Sequence, residues 1–208
     1  VLSQLREPAR RFEQVLAVFL SSDLRKFRTD GSPFVLDDMA AHARKLRAFE
    51  EDRFAARGSD FLLLTGSEVD ILKDRLDFDA DLLAELDVVV ASLHVPANNE
   101  AENTKRLIRA AENKFVHMLG HPSGRLLLER EPYPVNLEAV IDACAATGTW
   151  IELNCNPYRF DLDWRLWPYA KSKGVKCVIN PDAHRNEHAG FLRLGVGLAR
   201  KGSLTKAD

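Results

Sequence analysis

Six short apolar runs, separated for the most part by longer amphipathic stretches, constrain this chain more than any other feature. The runs are Val15–Leu20, Phe61–Thr65, Asp87–Ser92, Phe115–Leu119, Thr149–Leu153 and Val175–Ile179. Most are rich in leucine or β-branched residues and apolar at consecutive rather than alternate positions. That pattern suits parallel strands buried on both faces. Between them the sequence predicts helices. From Pro33 to about Ala56, Leu36, Met39, Ala40, Ala43 and Leu46 recur at helical spacing among charged residues. Glu100 to Asn113 carries Leu107, Ile108 and Ala111 on one side. Asn136 is placed to cap a helix that runs to Thr147 and stops at Gly148. Leu162 to Lys173 stops at Gly174, with Pro168 marking a kink or a later start, and Glu187 to about Arg200 is a last, weaker helix. Strands alternating with helices of about ten residues or more mean βα units and a parallel sheet, open or closed.

Composition narrows the function classes. The chain has 208 residues, 46% hydrophobic and 29% charged, as expected of a soluble globular protein. Its net charge of −2 argues against a nucleic-acid binder held by a broad cationic field, and leaves room for a local basic cleft. Cys144, Cys155 and Cys177 are too few and too scattered for a disulfide framework, which points to a reducing, cytoplasmic setting. Val15–Leu20 is too short for a secretory leader, is preceded by Glu7 and Glu13, and lacks a small-x-small cleavage site. No run approaches the ~20 apolar residues of a membrane helix, so no membrane partner is expected. The chain opens on Val rather than Met, from which an upstream portion is expected to be missing.

Acidic and imidazole residues follow the ends of these runs. Gly66-Ser67-Glu68 follows the second, His94 the third and Gly120-His121-Pro122 the fourth. Asn154 and Asn156 follow the fifth, and Asn180-Pro181-Asp182-Ala183-His184 the sixth. The C-terminal ends of parallel strands converge on one face, where ligands bind. Glu68, His94, His121, Asp182 and His184 are therefore the candidate metal ligands, with Asp182 and His184 also the catalytic candidates. Imidazole with carboxylate suits Zn, Mn or Fe rather than Mg or Ca. Five donors exceed what one tetrahedral zinc takes, which implies two or more metals and metal-assisted phosphoester hydrolysis. Singly, each would more often be a structural histidine, a cap or a surface charge; it is their common placement that carries the reading. Arg125 and Arg159 are either anion-gripping or plain surface arginines, and Asn156 joins them as a substrate-binding candidate. His42 sits on an amphipathic helix, His117 is core or points into the site from below, and His188 lies at the rim. Cys155 alone among the cysteines is expected near the site. No Gly-rich phosphate loop, nucleophile elbow or CxxC pair is present.

GSEVDIL (66–72), ELDVVVASLH (85–94), LGHPSGRLLL (119–128), IELNCNPYRFDL (151–162), VINPDAH (178–184) and GVGLARKGSLTKAD (195–208) together resemble the polymerase-and-histidinol-phosphatase (PHP) domain. The wording is closest to the version at the C-terminus of bacterial family X DNA polymerases. The likeness is good from about Asp60 to Asp208 and poor before it. It implies an α/β fold, a distorted (βα)7 TIM-like barrel spanning 1–208 as one domain, with 1–60 divergent or truncated and 61–208 well matched. It also implies two to three divalent metal ions in an intact site, on Glu68, His94, His121, Asp182 and His184. The implied activity is phosphoester hydrolysis, including manganese-dependent 3′–5′ exonuclease and 3′-end processing in DNA repair, with a polymerase domain on the same natural chain.

Departures from the pattern accompany these matches. The opening His-x-His strand and a third histidine have no counterpart, and Ser21-Ser22-Asp23 stands where a Thr-Asp-His-Ser-like turn brings another. Four of the nine ligands the resemblance implies are thus unmatched. Lys73-Asp74-Arg75 is one residue short of the usual turn. The sequence favours a truncated piece of a domain whose first metal shell is partly degenerate. The leading expectation is a metal-dependent phosphoesterase acting on DNA ends; the alternative is a catalytically weak module that stabilises, or positions DNA for, an attached polymerase. A small-molecule phosphatase of histidinol-phosphate type comes third.

Overall fold

The computed structural model describes residues 16–21 and 63–208; these fall into two compact units, one of the described residues up to Asp70 with Asp77–Val90, the other of Ile71–Leu76 with Ala91–Asp208. The predicted helix Pro33–Ala56 and His42 lie outside the described residues, as do the first two positions of Phe61–Thr65.

In the first unit, β1 (Leu16–Ser21) pairs in parallel with β2 (Leu63–Asp70), Leu16 opposite Leu63 and Ser21 opposite Glu68. Asp77 closes the way out of β2: its carboxylate accepts from the Asp70 amide at 2.9 Å, and its own amide donates back to the Asp70 carbonyl at 3.0 Å. A short helix that the sequence reading did not foresee, α1 (Ala80–Glu85), buries Leu82 and Leu83. After it comes β3 (Val88–Ser92), which is buried at every position, as a continuous apolar run requires.

The second unit begins with a tight hairpin. Ile71 bridges Leu76, and the Leu72 amide donates to the Arg75 carbonyl at 2.8 Å, so the short turn Lys73-Asp74 closes as it stands. Beyond β3 the order of strands follows the chain, through β4 (Met118–Leu119), β5 (Trp150–Asn154) and β6 (Cys177–Asn180). These pair in parallel, with Met118 opposite Trp150 and Asn154 opposite Asn180, and Gly120 N bonds back to Ala91 O at 2.9 Å. The helices between them are α2 (Glu100–Ala111), α3 (Leu137–Thr147), α4 (Trp167–Ser172) and α5 (Leu192–Lys201). The caps of α3 are those read from the sequence. The Asn136 side chain accepts from Ala139 N at 3.0 Å, and Gly148 ends α3 at φ 77°, a left-handed conformation that glycine adopts at no steric cost. Leu107, Ile141, Ile151, Leu153 and Trp167 fill the core between helices and strands.

Three elements differ from expectation. The strand predicted over Phe115–Leu119 shrinks to two residues, because the Asn113 side chain and carbonyl take the Phe115 and Val116 amides in a turn. The helix predicted from Leu162 starts late: Asp163 caps a 3₁₀ turn at Trp164–Leu166, and α4 follows with Pro168 in its first turn, where a missing N–H costs nothing. The last helix is likewise preceded by a 3₁₀ segment, Asn186–Phe191. No helix among the described residues is long and apolar enough to cross a membrane.

Candidate metal centre

In the second unit, parallel strands bring their C-terminal ends to one edge, and the predicted residues His94, His121, Asp182 and His184 all lie in the loops that leave it. His94 and His121 stand together, with ring centroids 5.3 Å apart at 58° and one nitrogen of each within 4.8 Å of the other. His94 is exposed and His121 is buried. Asp182 and His184 form a second pair: His184 Nδ1 lies 3.0 Å from the Asp182 carbonyl and 3.7 Å from its carboxylate. His188 turns its Nδ1 to accept from the His184 amide at 3.2 Å and stacks on Phe191, in keeping with a place at the rim. In the first unit, Glu68 is half-buried on β2, opposite Ser21 of β1. Ser21 thus opens the Ser21-Ser22-Asp23 segment in which the sequence lacks the expected histidine.

Each of these loops is fastened by polar groups that the sequence reading did not single out. The segment after β3 is held from α2: Arg106 donates to Val95 O at 3.0 Å and Leu72 O at 3.1 Å, while Asn103 both accepts from Ala97 N and donates to Ala97 O at 2.8 Å. The segment Gly120-His121-Pro122-Ser123-Gly124 is held at three points. Glu152 accepts from His121 N at 2.6 Å. Asp161, wholly buried, accepts from Ser123 N and Gly124 N at 3.0 Å and from Ser123 Oγ at 2.8 Å. Tyr133 donates to Pro122 O at 2.7 Å and lies so close to Gly124 (φ 62°) that a Cβ there would collide with its ring. Burial pushes the Asp161 carboxyl above its ordinary range, with the Ser123 hydroxyl pulling the other way, and burial also raises the Tyr133 phenol.

Arg125 takes a different role from the one predicted. Its Nη1 donates to Asp163 at 2.6 Å, its Nε to Arg159 O at 2.9 Å, and its Nη2 to Phe160 O, so it fastens the Asn156–Asp161 loop rather than presenting its fork to an anion. Asp163 binds Arg165 as well, and these two arginines hold its carboxyl well below the usual range, Arg165 first. Asn156 shapes the same loop, its side chain accepting from Tyr158 N at 3.1 Å and its carbonyl from Arg159 N at 2.8 Å. Arg159 is left facing the site: its Nε lies 3.4 Å from Asp182 Oδ2, and its buried Nη1 has no hydrogen-bond partner among the described residues. Cys155 is buried and packs where α5 crosses: a Cβ on Gly195 would lie 2.9 Å from Cys155 Cβ. Burial raises its thiol to about 11, so it is an inert core residue, as is Cys144 at about 12.

No protein-family model matches the chain. It is 41% identical over 178 residues to the DNA polymerase/3′-5′ exonuclease PolX of Bacillus subtilis (strain 168), an alignment covering 84% of this chain and 31% of that protein. A probable phosphatase of Thermoanaerobacter sp. (strain X514) is 29% identical, covering 69% of this chain and 61% of that one. A probable phosphatase of Caldanaerobacter subterraneus subsp. tengcongensis is 32% identical over 59% of this chain and 50% of its own length. The chain thus spans between about a third and three-fifths of the curated relatives it matches. Among solved structures, histidinol phosphate phosphatase from Lactococcus lactis subsp. lactis Il1403, complexed with zinc, L-histidinol and phosphate, aligns at a TM-score of 0.50 and 15% identity, over 92% of this chain and 82% of that one. That likeness shows the fold expected from the sequence, the TIM-like barrel of the PHP domain. By its sequence the chain is homologous to part of PolX and to probable phosphatases, and its fold is that of a PHP (polymerase and histidinol phosphatase) histidinol phosphatase.

Proposed function

We propose that the chain is a metal-dependent phosphoesterase whose natural role is 3′–5′ exonuclease or 3′-end processing on DNA, within a family X polymerase that takes part in repair. The observation that carries this reading is the His94–His121 imidazole pair at the strand ends, together with the Asp182–His184 pair in the loop after the last strand. Asp182 with His184 supplies a carboxylate and a further imidazole, and Glu68 is the remaining carboxylate of the ligand set that the sequence predicts. Imidazole nitrogens with carboxylate oxygens fit Mn, Zn or Fe. A divalent cation held there supplies Lewis-acid stabilisation of a phosphoryl group and makes a water a competent nucleophile near neutral pH. Arg159, with its free buried nitrogen beside Asp182, is the residue that orients the substrate anion, a planar fork matched to phosphate.

The second reading, a catalytically degenerate module that serves an attached polymerase, rests on Ser21 of β1 standing opposite Glu68, in a segment without the expected histidine. One experiment separates the two. The intact protein, given Mn²⁺ and a 5′-labelled oligonucleotide, is expected to shorten it from the 3′ end, with a chelator abolishing the reaction. Hydrolysis of a small phosphomonoester alone would place the activity with the phosphatases. No hydrolysis of either, together with loss of polymerase stability on deleting the domain, would favour the degenerate module.

A further inference from the structure

Glu152 is a carboxylate in the middle of β5, a strand buried at every position, and only 2% of its own surface is exposed. A buried charge of this kind is tolerated only where donors surround it. The pleat explains how it finds them. Glu152 and Asn154 are two residues apart and share one face of β5, and the parallel register sets Asn154 opposite Asn180, so Asn180 is the diagonal neighbour of Glu152 on that face. Glu152 Oε2 accepts from Asn154 Nδ2 at 3.2 Å and from the His121 amide at 2.6 Å, and Oε1 accepts from Asn180 Nδ2.

The same two asparagines reach Asp182. Asn154 Nδ2 also donates to Asp182 Oδ2 at 3.1 Å, and Asn180 Oδ1 lies 3.4 Å from the Asp182 amide. His121 (φ 26°) and Asp182 (φ 49°) are both in the left-handed region, which non-glycine residues rarely adopt and which persists only where surrounding contacts over-determine it. Two of the proposed metal ligands thus share an unusual backbone conformation and one buried carboxylate.

Resting on the metal-centre reading above, we propose that Glu152 is the positioning residue of this centre: it fixes His121 through its main-chain amide and Asp182 through Asn154 and Asn180. Its effect is on where the donor atoms of these two ligands stand.

Glu152→Gln tests this with almost no change of volume. The new NH₂ replaces one oxygen and faces an N–H donor whichever way the amide turns. Titration calorimetry of the intact protein with Mn²⁺ alone and Zn²⁺ alone, alongside urea unfolding in chelator, reads the effect. The expected result is a cooperative, folded variant whose metal Kd is about tenfold to a hundredfold weaker, the range found when groups that orient ligands are removed. Lower metal-free stability with unchanged Kd would assign Glu152 to the core alone and overturn the proposal. Asn154→Ala keeps the His121 anchor and cuts the link to Asp182; it serves if Glu152→Gln does not fold, with about a tenfold weaker Kd expected and an unchanged one overturning the link. If wild-type protein binds neither ion, the metal reading falls and takes the positioning role with it, an outcome distinct from equal Kd values in wild type and variant.

Discussion

Asp182→Ala is expected to abolish metal-dependent phosphoester hydrolysis by the intact protein, with kcat/KM down by more than about a hundredfold, or roughly 2.7 kcal/mol of transition-state stabilisation. Three losses coincide at this residue. A proposed ligand carboxylate disappears. Asn154 loses one of its two acceptors, and Arg159 loses the anion 3.4 Å from its Nε. Asp182→Asn keeps the shape and removes the charge, so comparison of the two variants separates charge from packing. The side chain is only half-buried and sits in a loop, so the urea unfolding free energies of both variants should stay within about 1 kcal/mol of wild type, as for substitutions outside a core. Full activity in Asp182→Ala would remove Asp182 from the mechanism.

The largest effect on stability is expected at Asp161. Its carboxylate is the acceptor for two main-chain amides and one hydroxyl of the Ser123–Gly124 turn, all in the buried interior. Alanine leaves those three donors without it, at about 1–3 kcal/mol for each that stays unpaired. With partial relaxation a loss of about 3–5 kcal/mol is expected, measured as the urea unfolding free energy without metal. In a chain of this size that lowers the melting midpoint by roughly 10 °C. Asp161 also pairs its main chain with Asn154, and those bonds survive the substitution. A change below about 1 kcal/mol would mean that water replaces the carboxylate and that the turn holds without it.

The sequence made the framework legible because its signals were local. The runs predicted over Asp87–Ser92 and Thr149–Leu153 became strands buried throughout, and Asn136 and Gly148 bound their helix by capping chemistry that needs no tertiary context. That His94, His121, Asp182 and His184 lie in loops at one edge of the sheet was legible because each follows a strand, and parallel strands end together. What was not legible depends on partners distant in sequence. Arg125 reads as an anion grip because it stands four residues after His121; only the fold reveals that Asp163, 38 residues on, claims it. Glu152 and Asp161 stand in IELNCNPYRFDL without a role that local spacing assigns, although a charge inside WIELN is itself a signal that a buried partner must exist. The Leu162 helix began late because the Asp163 side chain capped a shorter turn first.

The most direct test of the account is the metal content of the intact natural protein, purified without chelator and read by elemental mass spectrometry. Two or three equivalents of Mn, Zn or Fe per chain are the result expected of an enzyme whose centre is built on Glu68, His94, His121, Asp182 and His184. One equivalent or none, with no uptake on adding Mn²⁺ or Zn²⁺, would contradict it and assign the domain a structural role.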